Sequence, residues 1–150
     1  MLRAIRRAFS GAPEEVHSPA DSVRVAVAVL LHEARRADYA EGSSRETAAA
    51  EQALAEMFGL DEKGCAALLA EGREKAQDLT SLYAPVAAVK RAFSQEERIR
   101  LVERLWRVAF AEGGLDPHED HYVRKVAHLL YVPNTQAMLA RNRARDAVKP

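Results

Sequence analysis

The sequence predicts an all-α domain on three observations. Helix-start signals recur along the chain, the segments between them are rich in strong helix formers, and no two complementary strands can be found. Ser43 and Glu46, Ser94 and Glu97, and Asp116 and Glu119 each have the spacing of a capping box, in which the first residue caps the helix and the acid reaches back to it. Pro117 follows Asp116 at the favoured first helical position. Asp21 or Ser22, Asp61 and Asn134 are further N-cap candidates. Ala, Leu, Glu, Arg and Lys fill the intervals. These signals predict helices near 21–40, 44–58, 61–77, 80–92, 95–112, 117–131 and 134–146. The result is a compact bundle of about seven helices. Pro85 should kink or shorten the fourth.

One segment carries the opposite signal. Val23, Val25, Val27, Val29 and Leu31 alternate with Arg24, Ala26, Ala28 and Leu30, and period two with β-branched residues reads as a strand. A lone strand leaves its backbone groups unsatisfied. The run also passes directly into Leu30-Leu31-His32-Glu33-Ala34, so a buried helix is the better reading. The fifth helix is clearer. Leu101, Leu105 and Val108, with Val102, Trp106 and Ala109, form a broad apolar face, which places this helix at the centre of the core.

The chain has 150 residues, 48% hydrophobic and 29% charged, enough to bury a core without disulfides or a structural metal. Cys65 is the single cysteine, which excludes an intramolecular disulfide and a thiolate zinc site. Basic and acidic residues both number 22, so no global field steers the chain onto nucleic acid. The charge is uneven: Arg3, Arg6 and Arg7 mark one end, and Arg141, Arg143, Arg145 and Lys149 the other. No stretch approaches the roughly 20 apolar residues of a membrane span. The start lacks the apolar region of a secretory signal, so a cytoplasmic protein is predicted. Gly11, Pro13 and Pro19 divide the chain into a basic flexible segment and linker over 1–20 and a helical domain over 21–150. Leu2, Ile5 and Phe9 share a helical face, which gives residues 1–10 a weak membrane-surface option beside the flexible-tail reading.

Two stretches repeat one pattern. Leu30 to Asp38 leads through a turn with Gly42 to Glu46 and a helix ending at Leu60. Leu105 to Glu112 leads through Gly113 and Gly114 to Glu119 and a helix ending near Val132. Each is an apolar helix, an acid at its end, a Gly-bearing turn and a Glu opening the next helix. Two such hairpins suit packing about a pseudo-twofold axis. At these residues, in this order, the chain resembles the tellurite-resistance TerB-like family. The resemblance runs over about 21–146 and is strongest over Arg98–Val132, with Leu105-Trp106, Val108-Ala109 and Ala111-Glu112-Gly113 followed by Glu119. The first hairpin reads Ala37-Asp38-Tyr39 and the second Ala111-Glu112-Gly113, where the family commonly has Ala-Asp-Gly. The resemblance implies a seven-helix bundle, a role in tellurite and other stress resistance, and cation binding by acidic residues.

The candidate ligands are therefore Asp38 and Glu46 in one hairpin and Glu112 and Glu119 in the other, with Asp116 and Glu41 in the turns. Carboxylates suit a hard cation such as Ca²⁺, Mg²⁺ or Mn²⁺. Capping-box acids are the more ordinary reading of Glu46 and Glu119. Asp38 and Glu112 are not so explained, since an acid at a helix C-terminus opposes the dipole. Neither turn matches an EF-hand loop. In His118-Glu119-Asp120-His121, Tyr122 occupies the position where a zinc protease motif needs its second histidine, so both histidines read as surface residues. Cys65 reads as a small buried residue. No phosphate loop, nucleophile elbow or complete catalytic set is present. The sequence thus points to a non-enzymatic domain that holds a divalent cation and meets protein partners. The alternative is a protein–protein adaptor whose acids only cap helices. A metal-dependent hydrolase would need a water-activating base and an open coordination position that the sequence does not supply.

Overall fold

The computed structural model describes residues 19–35 and 44–148. Seven α-helices make up the described residues: α1 (Pro19–Glu33), α2 (Ser44–Phe58), α3 (Glu62–Gln77), α4 (Tyr83–Ala92), α5 (Gln95–Phe110), α6 (Pro117–Leu129) and α7 (Asn134–Val148). No strand occurs among the described residues. The valine-rich run is helical, and Val27 to Leu31 are all buried. Burial on every side explains the missing helical period, because no position of such a helix has to be polar.

Local signals set most boundaries. Asp61 caps α3 by accepting the Gly64 N–H at 2.8 Å. Ser94 and Glu97 form the reciprocal box at α5: Ser94 N–H donates to Glu97 Oε1 at 2.8 Å, and Glu97 N–H donates to Ser94 Oγ at 3.2 Å. Helix α4 starts three residues later than predicted, which puts Pro85 in its first turn, where the missing N–H costs nothing. Helix α7 begins at Asn134, where the predicted range of 134–146 starts. Helix α1 ends at Glu33, seven residues before its predicted end at 40. The physical reason is tertiary. The Arg35 guanidinium donates to Thr47 Oγ1 at 2.8 Å and bonds His32 Nδ1, which ties the chain to α2 immediately past the helix.

Two helix pairs build the core. Helix α1 packs most closely on α3, and α5 on α7. At the first crossing Gly72 lies against Ala28, and a Cβ on Gly72 would come within 2.6 Å of the Ala28 Cβ and 2.7 Å of its carbonyl carbon. At the second, buried Trp106 donates its indole N–H to the Ala137 carbonyl at 3.1 Å, beside Phe110. Helix α2 bridges the pairs, packing on α5 and α3, with Arg104 Nε 3.2 Å from Glu56 Oε1. Cys65 is buried as read, and burial pushes its thiol pKa up, with Glu51 and Asp61 adding to the rise.

Among the described residues, three past helix ends have positive φ: Gly59, Gly113 and Tyr131. Gly59 at φ 67° closes α2, as glycine does freely. Tyr131 at φ 61° follows α6, where a side chain costs about 1–2 kcal/mol. Its turn is held by Gln95 Nε2 donating to the Tyr131 carbonyl at 2.9 Å and by Arg98, which donates to the Leu130 carbonyl at 3.4 Å and the Lys90 carbonyl at 2.8 Å.

Candidate functional site

Residues from α2 and α6, the second helices of the two predicted hairpins, meet the C-terminal end of α1. Arg35 reaches Thr47 in the first turn of α2. From the other hairpin, the Tyr122 hydroxyl on α6 donates to the Leu30 carbonyl at 2.8 Å. That carbonyl belongs to the last turn of α1, whose acceptors lack helical partners. Tyr122, which broke the zinc protease motif, therefore joins the two hairpins.

Glu46 and Glu119 occupy equivalent places, at the third residue of α2 and of α6. Glu46 is 0% exposed and Glu119 4%. Glutamate is almost never this buried unless it is paired. Glu119 Oε1 accepts the Asp116 N–H at 3.3 Å, and Asp116 Oδ1 accepts the His118 N–H at 2.7 Å, so the predicted box forms. Ser43, the predicted cap for Glu46, lies outside the described residues, as do Asp38, Glu41 and the basic segment over 1–18.

Glu112 does not sit at a helix end as predicted. Helix α5 stops at Phe110, and Glu112 is exposed in the following turn, where Gly113 N–H bonds the Phe110 carbonyl at 2.8 Å. The acid that closes α1 is Glu33, which the sequence reading passed over. His118 and His121 are exposed, as read. Among the described residues no three His, Cys, Asp or Glu side chains form a group able to hold a metal ion.

The electrostatics centre on His32. Burial, then Arg35 and Arg73, lower its pKa from 6.5 to about 4, so the imidazole is neutral at physiological pH. Its Nδ1 is then free to accept from the Arg35 guanidinium. Burial raises the Glu33 carboxyl, with Arg35 opposing. Removal from water holds the Tyr122 hydroxyl well above its ordinary value, and Glu33 adds to the rise. His32, Glu33, Arg35 and Thr47 were not singled out from the sequence as site residues, and Tyr122 was noted there only as the residue that breaks a zinc motif. Arg35 and Thr47 are 12 residues apart and Tyr122 and Leu30 are 92 apart, so no local spacing marks either contact.

The fold and this meeting point define an all-α domain of paired helical hairpins with buried glutamates opening the second helix of each. The profile of the family described as tellurite resistance protein TerB matches residues 24–142. The chain belongs to the TerB family. No curated protein and no solved structure matches it.

Proposed function

We propose that this chain is a non-catalytic binding domain of the TerB family, with a divalent cation held where the two acidic hairpins converge. The observation that carries the reading is the equivalent burial of Glu46 and Glu119 on two rigid helix starts. They are oxygen donors of the kind that Ca²⁺, Mg²⁺ and Mn²⁺ take. Asp38, Glu41 and the exposed Glu112 in the turns would supply further donors, with Asp116 kept as the cap of α6. Stress resistance and protein partners follow from family membership by analogy, and a cytoplasmic location is part of the same proposal.

A second reading is favoured by the Asp116 N–H bond to Glu119, which is a capping contact complete in itself. In that reading the domain is an adaptor and the acids only start helices. Titration calorimetry and thermal melting with Ca²⁺, Mg²⁺ and Mn²⁺ separate the two. The cation reading expects saturable binding and a rise in Tm by mass action. It also expects both to disappear in the Asp38→Asn, Glu112→Gln double variant. No binding at millimolar cation decides for the adaptor.

A further inference from the structure

A groove of about 840 Å³ opens beside the C-terminal ends of α1 and α3, between α4 and α6. Its walls are largely apolar, with Val29, Leu79, Leu82, Val86 and Leu129. Lys90 and Arg91 from α4 and Lys125 from α6 also line it, with Glu33 as the single carboxylate. No carboxylate among the described residues pairs with any of these three cations. Elsewhere Arg100, Arg104, Arg107, Arg124 and Arg143 each lie within 3.5 Å of one. A chain of zero net charge thus gathers an excess of positive charge, three cations to one carboxylate, at an apolar groove.

Two exposed aromatics lie at α4, one on the helix and one beside it. Tyr83, 79% exposed, lines the groove, and Tyr131, 69% exposed, has its ring centroid 4.3 Å from the Lys90 ammonium. Tyr131 holds this place in left-handed backbone, where glycine would be unstrained, and strain kept at one residue commonly marks function.

We propose that the groove binds a small amphipathic anion, an apolar chain or ring ending in a carboxylate. The apolar part lies on the Leu82 and Val86 wall, and the head group is met by Lys90, Arg91 and Lys125. The volume falls within the roughly 300–1,000 Å³ of small-molecule sites. The chain's own first residues are a poor occupant, since Arg3, Arg6 and Arg7 carry the same sign as the rim. The site uses neither Glu46 nor Glu119, so it stands or falls separately from the cation reading.

The test uses the full chain with decanoate below its micelle concentration, decanol as the neutral isostere, and vesicles of anionic phospholipid. Amide chemical shifts should saturate with decanoate and move along α4 and the facing turns of α6. The Lys90→Gln, Lys125→Gln double variant should bind roughly tenfold more weakly, the loss expected for charge-assisted contacts. Lys90→Arg should keep most of the affinity, and decanol should bind weakly. Three results overturn the proposal: no saturable decanoate binding, equal affinity in the double variant or for decanol, and association with anionic vesicles alone.

Discussion

Helices α1 and α5 are both central, but they bury themselves by opposite means. Helix α1 meets α3 through small residues, Ala28 against Gly72, so that backbone approaches backbone. Helix α5 meets α7 through its largest side chain, with Trp106 facing a partner whose buried residues are Ala137, Ala140 and Ala144. The first contact has no space to spare, and the second depends on one side chain. Close packing makes both crossings sensitive, but to opposite substitutions: adding atoms at one and removing them at the other.

The largest effect should come at the second crossing. Trp106→Ala leaves a cavity and removes the indole N–H bond to the Ala137 carbonyl, and should cost about 3–5 kcal/mol in urea unfolding. A loss below about 1 kcal/mol would mean that α7 collapses onto α5 without the indole.

Gly72→Ala tests the first crossing. Helix propensity alone predicts a gain of about 1 kcal/mol. The Cβ, however, would meet the Ala28 side chain and backbone, not the tip of a flexible chain. Net destabilisation of roughly 1–3 kcal/mol is expected. A more stable variant would show that α1 and α3 can separate cheaply.

The smallest effect concerns the end of α1, where the comparison gains a polar element. Unfolded His32 takes a proton near pH 6.5, whereas the folded chain resists until about 4. The unfolded state therefore binds more protons between these values. The stability contributed by neutral His32 is complete above 6.5 and is lost as the pH falls to about 4. The loss should amount to roughly 1 kcal/mol between about pH 7 and 5.5. Glu33, with its raised carboxyl pKa, acts with the opposite sign, so the quantity to measure is the difference between wild type and His32→Gln. Parallel stability–pH curves for the two would remove His32 from the account.

The sequence alone determined the helices and most of their starts. A cap and the acid three residues on are local chemistry, written where they act: Ser94 with Glu97, Asp116 with Glu119, and Asp61 before α3. The apolar face of α5 was legible for the same reason, and Trp106 is buried as its position on that face requires. Helix ends were less legible. The end of α1 is followed by the Arg35 contact to Thr47 on the next helix, and the end of α5 by a turn that holds Glu112, neither of which periodicity marks. Only the tertiary structure decided which polar groups meet. Tyr122 reaches Leu30 and Arg35 reaches Thr47 because separate helices bring them together. The same packing gathers Lys90, Arg91 and Lys125 on one groove with Glu33 as the single carboxylate among its lining residues. A one-dimensional pattern records what each residue does to its own helix. It does not record what faces that residue across a bundle, where burial and pairing set pKa values and gather charge of one sign.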